Sequence, residues 1–339
     1  MRVRFASPRH RRAVVGPIVA LLLLSASCGS SETAVADPEL TIEPVALEDI
    51  RLGLAVQSMN RTFFTGMVEG AQAAAASQGI ALSVIDGQDD HDTQIAEVAA
   101  ILPDIDALLL SPVDSERSSE ITAMAVDAGV AVIAVANQVG SVENHGAQYV
   151  HPETVALVTN DDVSMGRKAG AFVALQDYEG TVSIAVLSGS RGTANVAMRL
   201  EGFESELDAL GVDFVIVDDI DGSWHADGGH AACAAFVETQ PDLIFSMSDA
   251  MTAGCVDALA GTALESTPIV SIGGNADGIE LLTDGRIVGS VCQKPGDMGA
   301  LAVDVAVNSL VSGNSSLGLK FYETPLVTAD TMDRCDPQW

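Results

Sequence analysis

The sequence predicts an α/β protein built from two doubly wound parallel-sheet halves. Three observations carry this. Residues 50–79 read as a buried strand, a polar loop and a helix. Short apolar runs then alternate with helix-spaced segments as far as residue 136. After an irregular polar stretch the same alternation begins again and continues almost to the last residue. Strands alternating with helices of this length form βαβ units with right-handed crossovers.

The elements follow in order. Residues 50–56 form a short apolar run, as suits a strand covered on both faces. Gln57-Ser58-Met59-Asn60-Arg61-Thr62 interrupts the run. Phe64, Met67, Val68, Ala71, Ala74 and Ala75 then share one helical stripe, which Gly79 ends. Ligands of open parallel sheets bind beyond the carboxyl ends of the strands, at loops of this kind. This loop offers amides, a hydroxyl, a guanidinium and the adjacent Phe63 and Phe64, with no Gly-x-Gly-x-x-Gly to cradle phosphate. It is suited to a neutral polar molecule with an apolar face. Strands are expected at 81–85, 107–111 and 130–136, with helices at 92–102 and 118–128. Residues 138–152 are irregular, and 154–159 form a crossing strand. The second series places helices at 164–175, 195–210, 229–238, 251–259, 277–283 and 297–311. Its strands are 181–187, 213–218, 243–247, 268–272 and 287–292, and 321–327 is a last extended segment. The duplication is architectural, without a sequence repeat.

A chain of 339 residues is enough for about two domains. It is 48% hydrophobic but only 4% aromatic, so the cores are built of Ala, Val and Leu. Residues 1–28 have five arginines, an apolar run and small residues before Cys28, the pattern of an export signal. The apolar run is too short to favour a spanning helix. The approach to Cys28 resembles a bacterial lipoprotein box, which implies cleavage before Cys28 and acylation of its sulfur; an ordinary secretory signal with an incidental cysteine is the other reading. Residues 29–49 are rich in Ser, Thr, Ala, Pro and acids, and read as a tether. Loss of residues 1–28 takes five of the 16 basic residues and none of the 47 acids, moving the net charge from −31 to −36. That charge excludes nucleic acid and electrostatic docking to anionic lipid. Cys233, Cys255, Cys292 and Cys335 permit two disulfides in three pairings.

No chemistry of turnover is visible. Asp89, Asp90, His91 and Asp92 invite a metal reading, but a solvated turn capped by Asp92 or Thr93 explains them. His145 and His151 are too separated for zinc. Gly189-Ser190-Arg191-Gly192 is not a nucleophile elbow, and no acid and base are paired for hydrolysis. No enzyme activity, metal or cofactor is expected.

Residues 50 to 330 resemble the periplasmic sugar-binding proteins of the ribose-binding type, the solute receptors of ABC importers. The marks are LAVQSMNRTFF, LLLSPVDS, GVAVIAVANQ, TNDDVSMGRKAG, SGSRGTANVAMRLEGF, IFSMSDAMTAGCVDAL and IVSIGGNADGIELLTDGRIVGSVCQKPGDMG, in that order. The resemblance implies the type I periplasmic-binding-protein fold: two lobes joined by a three-strand hinge, with ligand held between them. The crossings would fall near Asn160, Lys294 and Pro325. Lobe I would be 50–160 and 294–324, and lobe II 161–293 and 325–339. All four cysteines then lie in lobe II, and the layout favours Cys233 with Cys255 and Cys292 with Cys335, leaving the hinge free. It further implies a monomer on the outer face of the cell membrane, with a small-molecule ligand and a permease as partners.

The resemblance also implies site residues. Phe63 and Phe64 occupy the positions of two phenylalanines that stack on the sugar, and Trp224 that of an aromatic from the opposing lobe. Gln293 matches a hinge glutamine that bonds the sugar, and Gln57, Ser58 and Asn60 are further donors. Ala136-Asn137 stands where the pentose receptors have an Asp-Arg pair. Ala197 replaces an arginine, Ser248 beside Asp249 replaces an asparagine, and Gly273 replaces an aspartate. Arg199 matches a separate, structural arginine. Arg61 is a new charge, facing an acidic ligand or solvent. The set predicts a ligand other than ribose: a bulkier sugar, a polyol or cyclitol, or a non-sugar metabolite. Signalling to a membrane kinase instead of transport is the alternative role.

Overall fold

The computed structural model describes residues 41–176, 178–191 and 193–339. The expected leader, Cys28 and the tether up to residue 40 lie outside the described residues.

The first half contains β1 (Arg51–Val56), α1 (Thr62–Ser77), β2 (Ala81–Asp86), α2 (His91–Ile101), β3 (Ala107–Leu110), α3 (Ser119–Asp127), β4 (Ala131–Val135), α4 (Val142–His145) and β5 (Ala156–Thr159). The second contains α5 (Asp162–Ala174), β6 (Val182–Ser188), α6 (Ala194–Ala209), β7 (Phe214–Asp221), α7 (Ala226–Phe236), β8 (Leu243–Ser246), α8 (Asp249–Leu259), β9 (Ile269–Gly273), α9 (Ala276–Thr283) and β10 (Gly289–Cys292). The chain ends with α10 (Pro295–Ser312), β11 (Gly318–Phe321) and β12 (Leu326–Val327). Two six-stranded sheets result, ordered β2-β1-β3-β4-β5-β11 and β7-β6-β8-β9-β10-β12. All neighbours are parallel except β12, which runs antiparallel to β10.

Alternate residues of β1 supply opposite faces of the first sheet. Leu52, Leu54 and Val56 join the layer under α1 and α10, and Ala55 joins Val98 and Ile121 on the other side. In the second half α5 and α6 touch backbone to backbone. A β-carbon on Gly166 would overlap the Arg199 carbonyl, and one on Gly202 would overlap that of Val163. This approach brings Arg199 of α6 against Asp162 of α5.

Three elements differ from expectation. The extended segment expected at 321–327 is two strands on different sheets. Leu326 packs on the second core while Tyr322 packs on the first, so the chain must cross between them. The cap of α2 is Asp90, not Asp92 or Thr93: the Asp90 carboxylate accepts from the Thr93 amide at 2.7 Å, which lowers its pKa, while Asp92 is taken up by Arg117. The irregular connection contains one helical turn, α4, held by the buried Gln138 amide, which donates to Gly146 O and accepts from Tyr149 N.

The chain passes between the sheets after β5, after β10 and between β11 and β12. Tyr322 on the third passage donates its phenol to Asn160 on the first, and burial pushes that phenol's pKa up. Lys168 of α5 donates to the Thr324 carbonyl at 2.7 Å.

In the second half Cys233 is bonded to Cys255, joining α7 to α8, and Cys292 to Cys335. The fully buried Asp249 carboxylate accepts from Ser271 Oγ, Ser290 Oγ and the Gly274 amide. Burial pushes its pKa up and these bonds oppose the push. Asp249 was expected at the ligand; the structure corrects this, because its carboxylate is spent stitching α8 to β9 and β10.

Two stability outcomes follow. Removing the Cys233–Cys255 bond, which spans 22 residues, with paired alanines lowers unfolding free energy in urea by about 3 kcal/mol. Asp249→Ala leaves three buried donors unmet and costs about 3 kcal/mol in the same assay, with Asp249→Asn costing less.

Candidate functional site

The functional side chains gather at the carboxyl ends of the strands, where loops lead into helices. On the first sheet the β1–α1 loop is anchored from below. Gln57 is 8% exposed, and its amide donates to the Pro112 carbonyl beyond β3 at 2.9 Å. Asp86, at the end of β2, accepts from the Met59 amide at 3.1 Å. Gln57 therefore serves as a loop anchor. Ser58 is buried, its Oγ accepting from the Asn60 amide. The Asn60 side chain lies exposed and makes no hydrogen bond among the described residues.

Arg61 precedes α1 with an extended backbone. Its guanidinium pairs with Asp89 at 2.7 Å and reaches Gln57 Oε1 at 3.5 Å. Of the two expected surroundings for this charge, acidic ligand or solvent, the second matches the structure: the Arg61 side chain is 57% exposed and pairs with Asp89 at the surface. Phe64, expected to stack on ligand, is 6% exposed and belongs to the stripe of α1 that packs on the first core. Phe63, one residue earlier on the turn, is half-buried. Its ring meets Phe64 edge-on at 5.5 Å and Trp339 edge-on at 5.5 Å. At the end of β4, Ala136 takes a positive φ of 62°, which turns the chain sharply and leaves Asn137 exposed at the sheet edge.

On the second sheet the leading residue is Trp224. The turn after β7 holds Ser223 and Trp224 at φ of 54° and 64°, conformations that side chains rarely adopt. Asp221 secures the turn, accepting from the Ser223 amide at 2.7 Å and the Arg191 amide at 3.0 Å; these bonds lower its pKa. The indole lies over Gly189, where a β-carbon would overlap the ring. It also lies 5.5 Å from the Arg199 guanidinium, within cation–π range. Arg199 is itself 3% exposed, donating to Asp162 at 2.7 Å and to the Met247 carbonyl at 2.6 Å. Burial pushes the Asp162 carboxyl up, and the guanidinium opposes it.

Ser248 precedes α8 and is 9% exposed; its carbonyl accepts from Thr252 Oγ1, and its own hydroxyl has no partner among the described residues. Gln293 follows β10, its amide nitrogen bonded to the Gly273 carbonyl. Its side-chain amide makes no hydrogen bond among the described residues.

The sequence did not reveal Asp162 and Gly189 as supports of Trp224, nor the neighbourhood of Trp339 and Phe63. A glycine in the loop beyond β6 was the available signal for the first; nothing local signals the second. Separately, a depression of about 590 Å³ on the first lobe is lined by Asp89, Asp90, His91, Asp114 and Glu143 among others. Among the described residues no group of His, Cys, Asp and Glu is placed to hold a metal ion. No helix among them is long and apolar enough to cross a membrane.

What this leaves at the two edges is one ring on each side, Phe63 and Trp224, with the neutral groups of Asn60, Asn137, Ser248 and Gln293. Flat rings accept the apolar face of a small molecule and directed amides and hydroxyls accept its polar groups.

Comparison with known proteins gives the fold and the family. The chain is 26% identical over 269 residues to the ribose import binding protein of Escherichia coli, covering 78% of this chain and 86% of that one. It is 24% identical over 311 residues to the xylitol-binding protein of Mycolicibacterium smegmatis, covering 91% and 82%. Among solved structures, the periplasmic ribose ABC transporter protein of Conexibacter woesei superimposes with a TM-score of 0.75 at 21% identity, over 86% of this chain and 95% of that one. The myo-inositol binding protein of Caulobacter superimposes with a TM-score of 0.71 at 21% identity, over 87% and 97%. The periplasmic binding protein domain matches residues 52–315, so the chain belongs to the periplasmic binding protein family.

Proposed function

We propose that this protein is the solute-binding component of an ABC importer and captures an uncharged sugar, polyol or cyclitol between its two lobes. One observation carries the choice of ligand class. The charged side chains nearest the loops are met from within the protein: Arg61 by Asp89, Arg199 by Asp162, and Asp249 by two serines and an amide. Neutral amides, a hydroxyl and two aromatic rings are left to meet a ligand. A site of this kind favours hydroxyl-rich neutral molecules, since a ligand charge would be desolvated without a counter-charge. The names of the relatives support the same class: two sequence relatives are named for ribose and xylitol, and one structural neighbour for myo-inositol.

The mechanism is capture by closure. In the open form each edge offers half of the contacts. Ligand touching both edges favours the closed form by its differential affinity for that form, and the three passages act as the hinge. Lobe I comprises residues 50–160 and 294–324, and lobe II comprises 161–293 and 325–339. The closed form is what a membrane permease recognises. The protein works as a monomer without chemical turnover, exported and held at the outer face of the membrane through acylated Cys28.

The test is a thermal-shift titration with D-ribose, D-allose, xylitol, myo-inositol and an acidic sugar. A neutral ligand at 100 times its dissociation constant adds about 2.7 kcal/mol of stability, read as a rise of a few degrees in Tm; the acidic sugar gives no rise. Trp224→Ala and Gln293→Ala abolish the shift; each variant still unfolds cooperatively, with an unliganded Tm a few degrees below wild type. Normal binding by both variants overturns the site.

A further inference from the structure

Residues 335–339 lie outside the matched family domain and bridge both halves of the molecule. Cys335 is bonded to Cys292 at the exit of β10, which fixes where the segment begins. Gln338 then meets the first half. Its Nε2 donates to Asp297 Oδ1 at 2.7 Å, and its Oε1 accepts from the Asp297 amide at 3.2 Å, at the start of α10. Gly66 of α1 leaves room for it, since a β-carbon there would overlap the Gln338 carbonyl.

Trp339 reaches both halves. Its carbonyl accepts from the Ala276 amide at 3.1 Å, at the start of α9. Its ring meets Phe63 at 5.5 Å with the planes 88° apart. α9 follows the carboxyl end of β9 and α1 that of β1, so the indole stands where the ligand-facing edges of the two sheets come together. The two rings stand at right angles to one another. The indole Nε1–H is shielded from solvent and donates to nothing among the described residues. A buried indole N–H ordinarily finds an acceptor.

We propose that Trp339 is a ligand-contacting residue of the interlobe site. Its ring extends the surface begun by Phe63, and its Nε1–H is the donor for a ligand hydroxyl oxygen. The inference rests on the sugar-or-polyol reading above. The disulfide at Cys335 and the Gln338 contacts to α10 are what hold the indole there. A segment that served only as a strap between the halves would stabilise the protein without touching the ligand.

The test uses the disulfide-bonded protein and calorimetric titration with D-ribose, D-allose, xylitol and myo-inositol. Trp339→Phe keeps a ring and removes the donor; its dissociation constant for the sugar that binds wild type rises about tenfold, the effect of one lost hydrogen bond. Trp339→Ala removes both and raises it about a hundredfold. With 5-fluorotryptophan the protein shows two fluorine resonances, for Trp224 and Trp339, and the one missing from Trp339→Phe shifts on titration of wild type. If both variants bind within about twofold of wild type while their unliganded Tm falls, the segment is a strap and the Trp339 role is overturned alone. If wild type binds none of the four, the ligand class falls and this role with it.

Discussion

A guanidinium buried in the second lobe underlies the Trp224 ring. Arg199 is held by Asp162 and the Met247 carbonyl, and the Trp224 ring rests over it. Neither charge is tolerable alone at that depth, since an unpaired buried ion costs several kcal/mol. The pair therefore fixes the spacing of α5 and α6, which the glycines of those helices make close enough for the contact. The indole inherits its height and tilt from that arrangement. The left-handed turn at Ser223 and Trp224 is a strained conformation kept because Asp221, Gly189 and Arg199 over-determine it.

The same logic of internal neutralisation recurs at each rim. Arg61 closes on Asp89 and Asp249 on the serines of two strands. In the proposed reading, an acidic chain with net charge −31 keeps these charges paired within the protein and leaves neutral groups for the ligand. Discrimination between similar polyols then depends on donors placed to leave no partner unmet, which is how a site of this kind rejects a molecule lacking one hydroxyl.

Much of the fold was legible because the period of the apolar pattern changes sharply at each strand end, as at Val56 to Phe63. What was not legible involved choices made at a distance. The segment from Phe321 to Leu326 is continuous in pattern, and only the two cores decide where it divides. Arg61 and Asp89 lie in different loops, and nothing near either announces the pair. Ser248 and Asp249 are neighbours, yet the first faces the edge and the second points under the sheet. That division follows from where α8 begins and from serines at 271 and 290. Phe63 and Phe64 part in the same way, by the rotation of a single helical residue. Trp339 carries no local signal, because its position is set by a bond to Cys292 and contacts to α10.

The order of strands in the two sheets bears on how the chain folds. β11 completes the first sheet by pairing with β5, and β12 completes the second by pairing with β10. Both arrive after residue 317. Neither sheet is complete without residues beyond 317, and α10 packs on α1 from more than 200 residues away. Both sheets therefore close through contacts far apart in the sequence, a topology that slows folding.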